Sequence, residues 1–179
     1  FNLHGSLLPK YRGAAPINWA VIKGEKETGV TTFFLQHAID TGDIIFQESL
    51  PIGENETAGE VHDRMMDLGA QVVLKTVQAI EKEEVELQKQ DDLAATKAPK
   101  IFHETCEINF DQPARLVHNF IRGLSPYPAA WTTLDGKSLK ILRTTIDHDE
   151  RQYPSGTFLT DGRKTLKVST QDGWLRIHE

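Results

Sequence analysis

Three polar residues have the types and spacing that acyl-transfer chemistry needs. Asn2 and His4 stand two positions apart, and Asp40 follows between two apolar runs. On an extended chain, side chains at i and i+2 point to the same face. An amide donor beside an imidazole suits an acyl oxygen that becomes negative in a transition state. A carboxylate that accepts and returns a proton would complete the set, with Asp40 and Asp43 as candidates.

Simpler interpretations of the same residues stay open at this point. An Asn-x-His pair also fits a hydrogen-bonded strand end, and Asp40 and Asp43 have the residue type that favours turns. A metal site built from His4, His37, Asp40 and His62 would lack any close ligand spacing, so we expect no metal. The sequence also has no glycine-rich phosphate fingerprint and no local signature of a Ser-His-Asp triad.

The elements that must position these residues follow from periodicity and turn signals. A run rich in Pro and Gly predicts a shaped loop after His4, and β-branched residues predict strands on both sides of Asp40. Apolar residues at helical spacing from Val61 to Ile80 predict a long helix with one buried face. The predicted elements are a loop at 5–16, a short helix at 17–23, strands at 29–36 and 44–52, and a helix opened by a capping box at 57–60.

The second half of the chain has a different pattern. Asp111 is the expected N-cap of a helix that stops near Gly123. Several short strands at regular spacing then predict a small, partly closed β-barrel. The predicted strands are 130–134, 139–144, 156–159, 165–169 and 174–177.

A charged stretch with few large apolar residues separates the two halves. We therefore predict a catalytic-domain segment at 1–85, a linker at 86–105 and a barrel domain at 106–179. The candidate site begins directly after Phe1, and the last residues read as a strand. We expect part of the catalytic domain to precede Phe1, and the second domain to be truncated.

Composition narrows the class of protein. With 179 residues, 39% hydrophobic and 26% charged, the chain resembles globular proteins, and no apolar run approaches the roughly 20 residues of a membrane span. The single cysteine, Cys106, is expected to be a buried apolar residue, which fits a reducing cytoplasm.

Charge is distributed unevenly along the chain. The net charge is −6, but residues 1–95 carry roughly −8 and residues 96–179 roughly +2. The overall sign argues against nucleic acid, whereas basic side chains near the predicted hairpin turns could contact phosphate or form a solvated face. These are Lys137, Lys140, Arg143, Arg163, Lys164 and Lys167.

Four blocks resemble the methionyl-tRNA formyltransferase family. They are NLHGSLLPKYRGAAP at 2–16, TGVT at 28–31, DTGDII at 40–45 and IRGLSPYPAAW at 121–131. The resemblance therefore extends over almost the whole chain. It implies a partial Rossmann-like α/β core, lacking its N-terminal part, followed by a small OB-like β-barrel.

The resemblance also implies roles for single residues. Asn2, His4 and Asp40 match the family's catalytic trio, and Asp43 is expected to hold the turn. The loop that contacts the folate matches Ser6, Leu7, Leu8 and Pro9.

The implied reaction moves a formyl group from 10-formyltetrahydrofolate to the α-amino group of initiator methionyl-tRNA, without a metal. Asn2 and a protonated His4 would donate to the oxyanion, while Asp40 would hold His4 cationic and relay the amine's proton. Related formyltransferases that act on glycinamide ribonucleotide or sugar amines, formyltetrahydrofolate dehydrogenase and a non-catalytic tRNA-binding fragment are the rival hypotheses. The block after His4 and the Ser-Pro-Tyr-Pro block favour the tRNA enzymes.

Overall fold

A computed structural model of the chain describes residues 1–147, 149 and 153–179. The chain divides into two compact units. The first consists of 1–20, 25–54 and 60–100, and the second of 21–24, 55–59 and 101–179. The stretch predicted as a linker therefore belongs to the first unit as far as Lys100.

The first unit is built on an antiparallel three-stranded sheet. Its strands are β1 (Asn2–His4), β3 (Glu27–Phe33) and β4 (Ile44–Pro51), in the order β1-β3-β4. A two-residue strand, β2 (Arg12–Gly13), lies outside this sheet. β3 is rich in β-branched residues and is buried from its second residue onward, which agrees with its central place in the sheet. The sheet thereby places the strand that carries His4 directly beside β3, the strand that precedes Asp40.

Two helices accompany this sheet. They are α1 (Pro16–Ile22) and α2 (Ala58–Glu81), close to their predicted bounds. The buried stripe of α2 includes Val61, Met65, Val72 and Thr76, which recur at helical spacing. The Thr76 hydroxyl lies 2.9 Å from that of Thr32 in β3, so this apolar face also contains a satisfied polar contact.

The second unit combines one helix with two small sheets. Helix α3 (Ala114–Leu124) supplies Val117, Ile121 and Leu124 to a core completed by Val168 and other strand residues. The strands are β6 (Ala130–Leu134), β7 (Lys137–Ile141), β8 (Thr144–Asp147), β9 (Phe158–Thr160), β10 (Leu166–Ser169) and β11 (Trp174–Ile177).

The strands of the second unit pair in two separate groups. β6 and β7 form a hairpin, and the other four form an antiparallel sheet in the order β8-β11-β10-β9. Within the described residues, strand pairing does not close these sheets into a barrel. The two units together give a mixed α/β protein with several sheets.

Two predictions for the second unit are wrong. The strand predicted at 139–144 is divided, because the backbone N–H groups of Leu142 and Arg143 both donate to the Glu179 carbonyl. Asp111 does not cap α3 either. Pro113 holds the N-cap position, and the N–H of Ala114 donates instead to Asp172 Oδ1 over 2.7 Å.

Among the described residues, no helix has both the length and the apolar character needed to cross a bilayer.

Candidate active site

His4 and Asp40 meet at the edge of the first unit's sheet. His4 Nδ1 lies 3.7 Å from Asp40 Oδ2, and the two side chains are only 7% and 12% exposed. At that distance the two groups form no hydrogen bond. The carboxylate oxygen therefore lies beside the ring nitrogen without being bonded to it.

The other ring nitrogen of His4 is held by the backbone. Its Nε2 lies 2.9 Å from the carbonyl oxygen of Tyr11. A carbonyl can only accept, so Nε2 must carry the hydrogen, and a neutral His4 would present a lone pair at Nδ1. His4 can therefore donate from Nδ1 only when it is protonated.

Tyr11 is itself anchored at its far end. Its hydroxyl donates to Glu25 Oε1 over 2.7 Å. Burial and then the Glu25 carboxylate raise the pKa of Tyr11 well above its ordinary value, so the phenol stays neutral and keeps its proton to donate. The hydroxyl thus fixes the residue whose carbonyl orients His4.

The turn that carries Asp40 has an unusual backbone. Asp40 adopts a positive φ of 56°, in the left-handed region that most residues avoid. Its Oδ2 accepts a 2.9 Å hydrogen bond from the N–H of Gly13, which fixes the carboxylate toward His4. A Cβ at Gly42 would overlap the carbonyl oxygen of Phe34, so only glycine fits there.

Asn2 shares a strand with His4. The alternation of β1 puts both side chains on one face, with Asn2 opposite Phe33 and His4 opposite Thr31. Asn2 is exposed whereas His4 is buried. The amide is therefore the more accessible of the two donors.

The predicted folate loop is fastened from within. Ser6 is fully buried and its hydroxyl donates to the Lys10 carbonyl, while Leu8 packs in a cluster with Phe33 and Ile44. Leu7 and Pro9 are partly exposed. Any contact from this loop to a ligand must therefore involve Leu7, Pro9 or backbone groups rather than the buried side chains.

Thr31 holds that loop on the sheet. Its fully buried hydroxyl donates to the Ser6 carbonyl over 2.6 Å and accepts from the N–H of Leu8 over 3.1 Å. Gln47 Nε2 also donates to Thr31 Oγ1 and to the Leu8 carbonyl. The loop conformation thus depends on polar side chains of β3 and β4.

The remaining histidines of the metal set that the sequence disfavoured lie apart from this pair. His37 and His62 are exposed, and His62 Nδ1 lies 3.2 Å from its neighbour Asp63. In the described part of the chain, no group of three or more His, Cys, Asp or Glu side chains could hold a metal ion. Asp43 follows Asp40 by three residues, and its side chain is half-buried.

Sequence patterns did not identify every residue around this pair. Gln90 donates to the carbonyls of Asp40 and Gly42, and accepts from the Arg12 guanidinium. Arg12 lies in the block at 2–16 that resembles the family, so the resemblance could have identified it. Gln90 lies in the charged stretch predicted as a linker, and no local pattern distinguishes it.

Comparisons with known proteins agree with this architecture. A model described as formyl transferase matches residues 1–77, and a model described as formyl transferase, C-terminal domain, matches residues 100–179. The methionyl-tRNA formyltransferases of Bacteroides thetaiotaomicron and Azobacteroides pseudotrichonymphae are 50% and 52% identical over 99% of the chain. The chain spans 58% of the length of each of these relatives.

Solved structures give the same family. An N-formyltransferase from Helicobacter canadensis, in complex with folinic acid and dTDP-3-aminofucose, matches 99% of this chain and 65% of its own, with a TM-score of 0.82 and 27% identity. WlaRD, a sugar 3N-formyl transferase solved with dTDP and 5-N-formyl-THF, matches 98% of this chain and 63% of its own, with a TM-score of 0.81 and 26% identity. The two matched models cover most of the chain, which therefore belongs to the formyl transferase family.

Proposed function

We propose that this chain carries the reaction centre of an enzyme that transfers a formyl group from 10-formyltetrahydrofolate to the α-amino group of methionyl-tRNA. The observation that supports it best is the His4–Asp40 pair, with its 3.7 Å separation and with His4 Nε2 bound to the Tyr11 carbonyl. The named relatives, at about half identity along the whole chain, support the acceptor. Such an enzyme would act in translation initiation, in the cytoplasm.

The geometry suggests how the side chains divide the work. The lone pair of the neutral amine forms the new C–N bond, and the formyl oxygen becomes negative. Asn2 and Nδ1 of protonated His4 donate to that oxygen. Because Nδ1 forms no hydrogen bond with Asp40, its proton is available, while the nearby carboxylate stabilises the cation.

Asp40 completes the transfer of the proton. It accepts the proton that the attacking amine loses and passes it toward N10 as the C–N10 bond breaks. The products are therefore the N-formyl amide and tetrahydrofolate with its N10 amine. No covalent intermediate forms on the protein. In the folate loop, Ser6 and Leu8 would shape the backbone, and Leu7 and Pro9 would touch the donor.

The second unit is proposed to hold the tRNA through an OB-like arrangement of its strands. The sequence offered six basic residues as phosphate contacts. Among them, Lys167 forms ion pairs with Asp147 at 2.7 Å and with Asp149 at 3.6 Å, so it is the least suited to contact phosphate. The other five are exposed: Lys137, Lys140, Arg143, Arg163 and Lys164.

A sugar amine is the second candidate acceptor. One solved relative was in complex with dTDP-3-aminofucose and the other is a sugar 3N-formyl transferase, which supports this alternative. Their identity to this chain is 27% and 26%, well below the 50% and 52% of the tRNA enzymes. The tRNA acceptor is therefore favoured.

The test is formyl transfer by the whole gene product that contains this chain. Methionyl-tRNA and a dTDP-amino sugar would be offered with 10-formyltetrahydrofolate, and each N-formyl product would be quantified. We expect product from methionyl-tRNA alone. Transfer only to the sugar would reject the tRNA acceptor, and no transfer to either would reject the proposed activity.

A further inference from the structure

The segment 88–98, hereafter the strap, joins the loop that follows His4 to the strand that follows Asp40. At one end, Gln88 and Ile44 exchange two backbone hydrogen bonds, of 2.8 and 2.9 Å. The other end includes β5 (Lys97–Ala98), which pairs in parallel with β2. The strap is thus bonded both to the strand that follows Asp40 and to the loop that follows His4.

Further contacts bind the strap to the loop after His4. The backbone N–H of Tyr11 donates to Thr96 Oγ1 over 2.8 Å, and that of Arg12 to the Thr96 carbonyl over 2.9 Å. The N–H of Ala14 donates to the Ala98 carbonyl over 2.8 Å. The residue whose carbonyl holds His4 Nε2 is therefore itself positioned by the strap.

Gln90 lies near the Gln88 end of the strap and is 6% exposed. Its Nε2 donates to the carbonyls of Asp40 and Gly42, at 2.9 and 2.7 Å. Its Oε1 accepts from Nε and Nη2 of Arg12, at 3.1 and 2.8 Å. Both donor hydrogens and the acceptor oxygen are used, so one side chain clamps the Asp40 turn to Arg12.

The backbone conformation of the Asp40 turn requires contacts that stabilise it. Asp40 adopts a left-handed conformation, which persists only where surrounding contacts over-determine it. Gln90 supplies two of these contacts at the backbone of the turn, on both sides of Thr41. Without them, the backbone of the turn would lose two contacts that support the placement of the carboxylate beside His4.

We propose that Gln90 is a positioning residue that sets the placement of the Asp40 carboxylate against His4. It lies between the matched family segments, 1–77 and 100–179. The consequence for catalysis rests on the proposed function, whereas the consequence for geometry does not.

The test compares three variants of the whole gene product. Gln90→Ala removes the clamp. Gln90→Glu keeps an acceptor for Arg12 but has no hydrogens to donate to the two turn carbonyls. Gln78→Ala, at an exposed position of α2, is the matched control.

Amide hydrogen exchange reports the geometry without any activity. The Gly13 amide donates to Asp40 Oδ2, and the Ile44 amide donates to the strap at Gln88. In both Gln90 variants we expect faster exchange at Gly13 with Ile44 still protected, and no change in Gln78→Ala. Unchanged Gly13 exchange would overturn the proposal, as would loss of protection at both amides, because Gln90 would then only maintain the strap.

Kinetics distinguishes positioning from binding. We expect kcat for formyl transfer to fall by roughly 10²-fold in both Gln90 variants, with KM for the folate donor nearly unchanged. Full activity in Gln90→Glu would overturn the role of the turn carbonyls. If Gly13 exchange changes as expected while the wild-type protein transfers no formyl group, the proposed function fails and the positioning role stands.

Discussion

The backbone N–H of Gly13 donates to Oδ2 of Asp40, the same oxygen that lies 3.7 Å from His4 Nδ1. One oxygen of the carboxylate is thereby fixed by the loop that follows His4. The proposed proton relay therefore depends on two loops that are 27 residues apart in sequence.

Replacing Asp40 by Asn removes the carboxylate charge but nearly preserves the shape of the side chain. The amide oxygen can still accept from Gly13, but the side chain can neither stabilise a cationic His4 nor take up the amine's proton. We expect kcat to fall by about 10²–10⁴-fold, with little change in folding stability. Asp67→Asn, at an exposed position of α2, is the control. Near-normal kcat in Asp40→Asn, measured by N-formyl product formation, would exclude the relay.

Replacing Thr31 by Val tests the fastening of the folate loop. The substitution nearly preserves shape but leaves the Leu8 N–H and the Ser6 carbonyl without their hydroxyl partner. Unpaired buried groups cost about 1–3 kcal/mol, so we expect a loss of this size in the free energy of unfolding. Urea denaturation measures it, and exchange of the Leu8 amide should accelerate. Thr133→Val on the exposed side of β6 is the control, and an equal loss there would contradict the account.

Local patterns indicated candidate residues for the site, and the family resemblance selected among them. The spacing of Asn2 and His4 and the turn chemistry at Asp40 were visible in the sequence, and His4 and Asp40 are close in the structure. The partners of that turn were not visible. Gln90 binds groups 48 to 78 residues away, and such separations leave no periodic trace in the chain.

The two wrong predictions for the second unit also arose because the deciding contacts are distant in sequence. Asp111 has a residue type that favours the N-cap, but it lies two residues before the N-cap Pro113, and the N–H of Ala114 donates to Asp172, 58 residues away. The predicted strand 139–144 is interrupted where Leu142 and Arg143 meet Glu179. Tertiary contacts override local propensity in both cases.

Asp147 should make the stability of the second unit depend on pH. Hydrogen bonding from Lys167, with a contribution from Arg176, lowers the pKa of Asp147 below its ordinary value. A carboxyl with a lowered folded-state pKa contributes stability that is fully present above about pH 4 and is lost as the pH falls through that lowered pKa.

The test replaces Asp147 by Asn and compares unfolding across pH. We expect a loss of about 2 kcal/mol at neutral pH, which narrows as the pH falls below about 4. Urea unfolding followed by tryptophan fluorescence gives both values. Asp135→Asn in an exposed turn should leave the pH dependence unchanged. A deficit in Asp147→Asn that stays constant from neutral to low pH would rule out this linkage.

The turn after β9 presents two cations on a fixed backbone. Asp161 Oδ1 accepts 2.9 Å hydrogen bonds from the N–H groups of Arg163, Lys164 and Thr165. These backbone donors, with Thr165 the largest contributor, lower the pKa of Asp161, so the carboxylate that holds the turn stays charged at neutral pH.

Removing both cations tests the tRNA surface. In Arg163→Ala/Lys164→Ala we expect weaker tRNA binding and a slope of log K against log[salt] reduced by about 1–2 units. Filter binding at several salt concentrations measures this slope. Lys89→Ala, an exposed charge in the first unit, is the control. An unchanged slope in the double variant would remove this turn from the tRNA surface.

The strap also determines where the chain can be divided without losing the contacts that hold the His4–Asp40 pair. The periodic sequence of α2 ends at Glu81, which makes that point an inviting boundary for a chimera or a truncated catalytic piece. A cut there would discard Gln90, Thr96 and Ala98, which bind the loops of His4 and Asp40. A boundary after Lys100 keeps them together, so domain exchanges within this family should be joined there.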